Sequence, residues 1–259
     1  FDLKRALLLE AGASEVVRLD PFDGLLELAP DQFVEQIVAT YSPLAIVEGE
    51  DFRFGKGRAG DVATLAALGA IAGFKVETMA PVEVMLGDAT IAKASSTGAR
   101  RLLLSGRAGD AARVLGRPYR LVGTVVRGDR RGRTIGYPTA NLDTGQLIPA
   151  DGVYAARAIL PDGRVFGAAL SVGTKPTFTD APTRACEAYI LDAPHEPGDE
   201  ARLAGVAEYG WTLALDVVGW VREQVRFHGL DPLLAQMSRD CVRIREMLGA
   251  PSAVAEEVA

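Results

Sequence analysis

Over the first 115 residues, the spacing of apolar positions switches repeatedly between a helical and a strand-like period. Leu3–Leu9 carries apolar side chains at helical intervals, and Gly12 marks the stop. Glu15–Leu19, EVVRL, predicts a short buried strand. In Asp31–Tyr41, Phe33 pairs with Ile37 and Val34 with Val38 at helical spacing. Leu44–Val47 then predicts a strand, Asp61–Ile71 a helix and Phe74–Met79 a further strand. Ser95–Leu104 and Gly109–Leu115 predict two short helices. Strand and helix alternating in this way predict a parallel sheet with helices on its faces.

After Gly116–Tyr119, GRPY, the grammar changes. Leu121–Val126, Val153–Leu160, Val165–Val172, Cys186–Leu191 and Thr212–Val221 are β-rich runs, with turns such as Pro161-Asp162-Gly163 between them. They predict an antiparallel sheet or small barrel. A helix over Pro232–Leu248 closes this part, and an Ala/Glu/Val tail follows from Pro251. The expected organisation is an α/β domain over residues 1–115, a β domain over 116–250 and a tail over 251–259.

Composition narrows the chemistry. The 259 residues are 48% hydrophobic and 24% charged, as in ordinary globular proteins, and no apolar run approaches the roughly 20 residues of a membrane span. The net charge of −6 argues against a nucleic-acid partner held by a basic surface. Cys186 and Cys241 lack metal-type spacing and predict no disulfide framework, which fits a reducing cytoplasm. With only His195 and His228, a histidine zinc site or a His-based triad is not expected. Phe1 opens directly on a helical pattern with no signal-peptide n-region, so the expectation is that residues are missing upstream.

Local basic clusters remain, and small anionic ligands need only those. Gly49–Asp61, GEDFRFGKGRAGD, is not a Walker loop: five residues separate the glycines and Gly57 follows Lys56. It reads as a loop after a strand, with Arg53, Lys56 and Arg58 open to anions or simply solvated. In Ala94–Leu104, ASSTGARRLLL, Ser95, Ser96 and Thr97 precede a helix near Arg100 and Arg101. Helix capping explains those serines, and a phosphate on free backbone N–H groups is the alternative.

The densest stretch is Leu121–Leu142, LVGTVVRGDRRGRTIGYPTANL. A strand runs into a glycine-bracketed loop, Gly128–Arg133, whose arginines and amides could approach a polyphosphate. Pro138 pushes Tyr137 to extended geometry, and Thr139 and Asn141 then share one face. Two neutral oxygens suit Mg²⁺, which keeps waters and substrate phosphates as its other ligands; a decorated hairpin is the bland alternative. In RACEAYIL, Glu187, Tyr189 and Leu191 face opposite to Cys186, Ala188 and Ile190. Glu187 is either a surface ladder residue or, beside Asn141, a base for an attacking hydroxyl.

Together these motifs resemble the bacterial bifunctional riboflavin kinase/FAD synthetase family, from Phe1 to about Leu248. The most specific are LGRPYRLVGTVVRGDRRGRTIGYPTANL, GVYAA, VGTKPTF, the Glu187 strand and VREQVRFHGL. The resemblance implies a partial Rossmann-like nucleotidyltransferase domain followed by a six-stranded β-barrel with a C-terminal helix. It implies riboflavin, FMN and ATP as ligands with Mg²⁺ held by Thr139 and Asn141. The nucleotide would lie on Gly128, Gly132, Arg133, Thr139 and Asn141. Glu187 would be the base toward the riboflavin 5′-hydroxyl, and Arg222 and Phe227 the flavin-side contacts. Asp51, Phe52, Arg53, Ser95, Ser96, Thr97 and Arg100 match the FMN adenylyltransferase half, whose opening Gly-x-Phe-Asp-Gly-x-His-x-Gly-His segment is not in the chain. Gly98 stands where that half has arginine, and Ser171 where the kinase half has asparagine. The expectation is therefore riboflavin phosphorylation by the second domain, in a parent protein that also adenylates FMN. The alternatives are adenylyl transfer as the main activity, or a non-catalytic flavin- or nucleotide-binding protein.

Overall fold

In Thr212–Arg222 every second side chain is buried, with Leu213, Leu215 and Val217 at 0% exposure. Together with five neighbouring strands, this one closes a barrel around one apolar interior. The computed structural model describes residues 1–20, 24–175 and 183–249. They divide into two compact units, Phe1–Pro81 and a second beginning at Val82.

The first unit contains α1 (Asp2–Glu10), α2 (Pro30–Tyr41), β1 (Ala45–Gly49), β2 (Arg53–Phe54), β3 (Gly60–Asp61), α3 (Val62–Ala72) and β4 (Lys75–Met79). β1 and β4 pair in parallel, with α3 as part of the crossover, as the alternating pattern predicts. Asp61 caps α3 by accepting from the Thr64 N–H at 2.8 Å. Val34, Phe54, Leu65 and Phe74 form the core, so Phe52 and Phe54 of the glycine-rich loop serve packing. Glu15–Leu19 does not form the expected strand: no described strand pairs with it, and Val17 and Leu19 are exposed. Apolar content alone cannot hold an extended segment that has no ladder partner.

The second unit opens with the hairpin β5 (Glu83–Met85) and β6 (Ile91–Lys93), then α4 (Ser96–Leu104) and α5 (Ala108–Leu115). Next come β7 (Tyr119–Val126), α6 (Arg131–Thr134), β8 (Thr139–Asp143), β9 (Gly152–Ile159), β10 (Val165–Lys175) and β11 (Thr183–Ile190). A small hairpin, β12 (His195–Glu196) with β13 (Asp199–Leu203), precedes β14 (Thr212–Arg222) and α7 (Leu230–Gly249). The closed barrel runs β10-β11-β8-β7-β14-β9, antiparallel throughout. The β-rich grammar does begin after residue 115, but compactness divides the chain earlier, because α5 packs on β14 and β7. The tail from Pro251 and the Pro176–Phe178 part of VGTKPTF lie outside the described residues.

The barrel wall is lined on two sides. Leu121, Leu142, Tyr154, Leu170, Cys186, Leu213 and Leu215 fill its interior. On its outer face Val153, Ala155, Leu191 and Val221 meet Cys241 and Ile244 of α7. Burial pushes the Cys186 thiol up to about 11, so it stays protonated and behaves as a small apolar filler. Replacing Leu215 by Ala should therefore cost about 2–5 kcal/mol in urea-induced unfolding. In the folded protein both thiols should react with a disulfide reagent at pH 8 far more slowly than in 6 M guanidinium; equal rates would contradict their burial.

Candidate functional site

β8 has a neighbour on each side, β7 and β11, and alternation does the rest. Leu142 turns into the barrel, while Thr139 and Asn141 turn outward. In register, Asn141 lies opposite Glu187 of β11, and Glu187 lies opposite Ser171 of β10. Three strands thus align Asn141, Glu187 and Ser171 in one row, with Thr139 opposite Tyr189 one step along. Gln224 donates to the Ser171 hydroxyl at 2.8 Å and to the Val172 carbonyl at 3.0 Å, closing the end of that row.

The loop between β7 and β8 lies against this row. A Cβ on Gly128 would collide with the Asn141 amide, and one on Gly132 with the Tyr137 carbonyl. Both glycines are therefore needed for close approach, which gives the bracketed loop a physical reason. The Tyr137 N–H donates to the Gly132 carbonyl at 2.9 Å and folds the loop back onto β8.

Two cavities meet at Thr139. The first, a cleft open to solvent, is lined by Gly128, Arg130, Gly132, Arg133, Thr139 and Asn141 on one side. His195, Arg202, Leu203, Glu208 and Tyr209 line the other. Three arginines face one carboxylate here, so the cleft is basic in an acidic chain. Glu208 accepts from Arg130 at 3.1 Å and from Arg133 at 2.7 Å, and the Tyr209 hydroxyl accepts from Arg130 at 3.0 Å. The Tyr209 hydroxyl first, then both guanidiniums, hold the Glu208 carboxyl below the usual range. Arg131 is 89% exposed and stays out of the cleft. The Trp211 indole N–H, also at this cleft, is buried and finds no acceptor among the described residues.

The second cavity, about 160 Å³, lies between the outer barrel face and α7. Tyr137, Tyr189 and Phe227 supply aromatic walls, Leu233 and Met237 aliphatic ones, and Glu187, Ser171 and Arg222 the polar groups. Tyr137 and Tyr189 pack with ring centres 5.0 Å apart. Arg222 is gripped by Asp240, which accepts from its Nε at 2.8 Å and its Nη2 at 2.8 Å, and its guanidinium lies 5.8 Å from the Phe227 ring centre. A flat amphipathic ligand suits such a slot.

Thr139 lines both cavities, Glu187 lines the second, and Asn141 the first. Every residue expected at the kinase site is thus brought to one of the two cavities. The adenylyltransferase set is placed differently. Asp51, Phe52 and Arg53 belong to the first compact unit, and Ser95, Ser96, Thr97 and Arg100 to the second. Ser95 caps α4 by accepting from the Gly98 N–H at 3.0 Å. Glu208 and Asp240 escaped the sequence reading. Asp240 left a signal, an acid on the apolar stripe Leu233, Met237, Cys241, Ile244; Glu208 left none.

Comparison with known proteins gives the family. The riboflavin kinase family model matches residues 115–248, and the FAD synthetase model matches residues 1–95. A bifunctional riboflavin kinase/FMN adenylyltransferase of Haemophilus influenzae is 31% identical over 90% of this chain and 71% of its own length. The chain belongs to the bifunctional riboflavin kinase/FMN adenylyltransferase family. The like-named protein of Listeria monocytogenes is 36% identical over 83% of this chain, and the aligned part is 63% of that relative's length. A solved structure titled as a macrolide-efflux protein from Streptococcus pneumoniae superposes with a TM-score of 0.79 at 29% identity, over 94% of this chain and 74% of that one. Among the described residues no helix is long and apolar enough to cross a membrane.

Within this family member, the Asp240–Arg222 pair fixes one wall of the outer cavity. Asp240 is 5% exposed, so removing it leaves a half-buried guanidinium without its carboxylate. Asp240→Ala should lower stability by about 3 kcal/mol in chemical denaturation. Asp240→Glu should recover part of that; a neutral Asp240→Ala would show that solvent already satisfies Arg222.

Proposed function

We propose that the barrel domain, residues 116–250, phosphorylates riboflavin to FMN with ATP, and that the longer protein to which this chain corresponds also adenylates FMN to FAD. One observation carries the reading. A basic cleft and an aromatic slot share Thr139, and the Asn141–Glu187 pair lies at their junction. Phosphoryl transfer needs a donor and an acceptor held in line on either side of one point.

In this reading ATP occupies the basic cleft, where Arg130, Arg133 and the amides of the glycine loop meet its phosphates. The orphaned Trp211 N–H is a donor ready for a polar ligand atom. Riboflavin occupies the slot, with its isoalloxazine against Tyr137, Tyr189 and Phe227 and its ribityl chain toward Glu187. Glu187 accepts the proton of the 5′-hydroxyl as that oxygen attacks the γ-phosphorus, and the ADP oxygen leaves toward the loop. Thr139 and Asn141 fit Mg²⁺, because they offer hard neutral oxygens on one face and Gly128 leaves the Asn141 amide its space. Bound with the phosphates, Mg²⁺ would neutralise the charge that builds on them. The partners are these small molecules, and two free, buried cysteines fit a reducing, cytoplasmic setting.

The test is to incubate the chain with riboflavin, ATP and Mg²⁺ and resolve the flavins by chromatography. FMN is the expected product; its absence from folded protein would sink the kinase reading. FAD from this same chain would show that adenylyl transfer does not need the Gly-x-Phe-Asp-Gly-x-His-x-Gly-His segment. Glu187→Gln should lower kcat by about 10²–10⁴-fold while riboflavin binding, read by flavin fluorescence, persists. Asn141→Ala should shift the Mg²⁺ titration of activity to higher concentration, and an unmoved titration would remove it as a ligand.

A further inference from the structure

The link from β11 to β14 runs through the β12–β13 hairpin and delivers Glu208 to the cleft. The hairpin is anchored: the Ala204 N–H donates to the Pro194 carbonyl at 2.9 Å, and the Gly205 N–H donates to Glu196 at 3.0 Å. Arg164, from the β9–β10 turn, donates to the Ala204 carbonyl at 2.6 Å. Just beyond Glu208, the Gly210 N–H donates to the Val125 carbonyl at 2.8 Å, and Trp211 accepts from the Val125 N–H at 2.9 Å. Glu208 is thus held between two fixed points, facing the arginine loop. One of its oxygens, Oε1, takes an Nη2 donor from both Arg130 and Arg133.

Those guanidiniums are the donors that a polyphosphate entering this cleft would seek. We infer that Glu208 is an internal anion that latches the arginine loop to the opposite wall of the cleft and competes with nucleotide phosphates for Arg130 and Arg133. This rests on the reading of the cleft as the nucleotide site. Glu208 acts through the arginines and is a positioning residue. Its depressed proton affinity keeps it charged at neutral pH, so the competition is ionic. A fixed negative charge a few ångströms from bound phosphate opposes binding even after the arginines have turned to the ligand.

The test measures ADP binding by calorimetry on the whole chain. Glu208→Gln should bind ADP about tenfold more tightly than the parent, a gain that shrinks as salt rises. Glu208→Asp, which keeps the charge but draws it back from the arginines, should fall between. Glu246→Gln removes one negative charge from the exposed side of α7, outside the cleft, and should bind ADP as the parent does. Riboflavin binding by fluorescence serves as the check on folding. Equal or weaker ADP binding by both folded Glu208 variants would overturn the latch while leaving the kinase reading intact. A parent chain that binds no ADP would overturn both. A Glu246→Gln gain equal to that of Glu208→Gln would reduce the effect to net charge and also overturn the latch.

Discussion

Everything at the candidate site depends on β8 being hydrogen-bonded on both sides in a closed barrel. Five residues, Thr139–Asp143, must supply both an interior and an outer face. Because Leu142 and the facing Cys186 are committed to the apolar interior, Thr139, Asn141 and Glu187 have no choice of side. A slip of one residue would bury the polar row and expose the leucine, losing both hydrophobic burial and hydrogen bonds. The precision of the site is therefore a consequence of core packing. It does not require the three polar residues to stabilise one another.

Electrostatics add a second layer. The chain is acidic overall, so a random patch of its surface repels a nucleotide. The cleft reverses that sign locally by gathering Arg130, Arg133 and Arg202. Unscreened guanidiniums that close would repel each other, and Glu208 relieves the repulsion between Arg130 and Arg133. Asp240 does the corresponding work for Arg222 in the outer cavity. The two carboxylates differ in burial, and so in consequence. Asp240 is enclosed and holds its arginine permanently, whereas Glu208 is open to solvent and can yield to a stronger anion.

What could be read from the sequence follows from the range of each interaction. Period-two and helical spacing are local, so β7, β9, β10, β11, β14, α2, α3 and α7 were legible from neighbouring residues alone. Glu15–Leu19 misled because a strand is a relation between segments and its own residues cannot supply a partner. The bracketing of Gly128 and Gly132 was visible, but its reason, the Asn141 amide and the Tyr137 carbonyl, appears only once β8 is folded beside the loop. Thr139, Asn141 and Glu187 were candidates from strand spacing, and the family resemblance supplied their expected roles and added Arg222 and Phe227. On spacing alone, a threonine and an asparagine two apart remain equally compatible with an exposed hairpin. Glu208 was hidden because it contacts residues more than 70 positions away, at the end of a link rich in Pro, Gly and acids in which no single acid stands out.

On the proposed reading, the arrangement also accounts for how few polar residues a demanding transfer would need. In the proposed reading, the basic cleft would take the donor and the aromatic slot the acceptor, and the two would meet at Thr139, Asn141 and Glu187. Water reaching the junction from the cleft would compete with the flavin hydroxyl for the phosphoryl group. The slot resists that with Tyr137, Tyr189, Phe227, Leu233 and Met237, which a bound flat ligand would complete as a wall. On that reading, specificity for the acceptor would reside on the α7 side of the barrel and specificity for the donor on the loop and hairpin side. Each can vary without disturbing the other, because the strands between them are fixed by the interior core and not by either ligand.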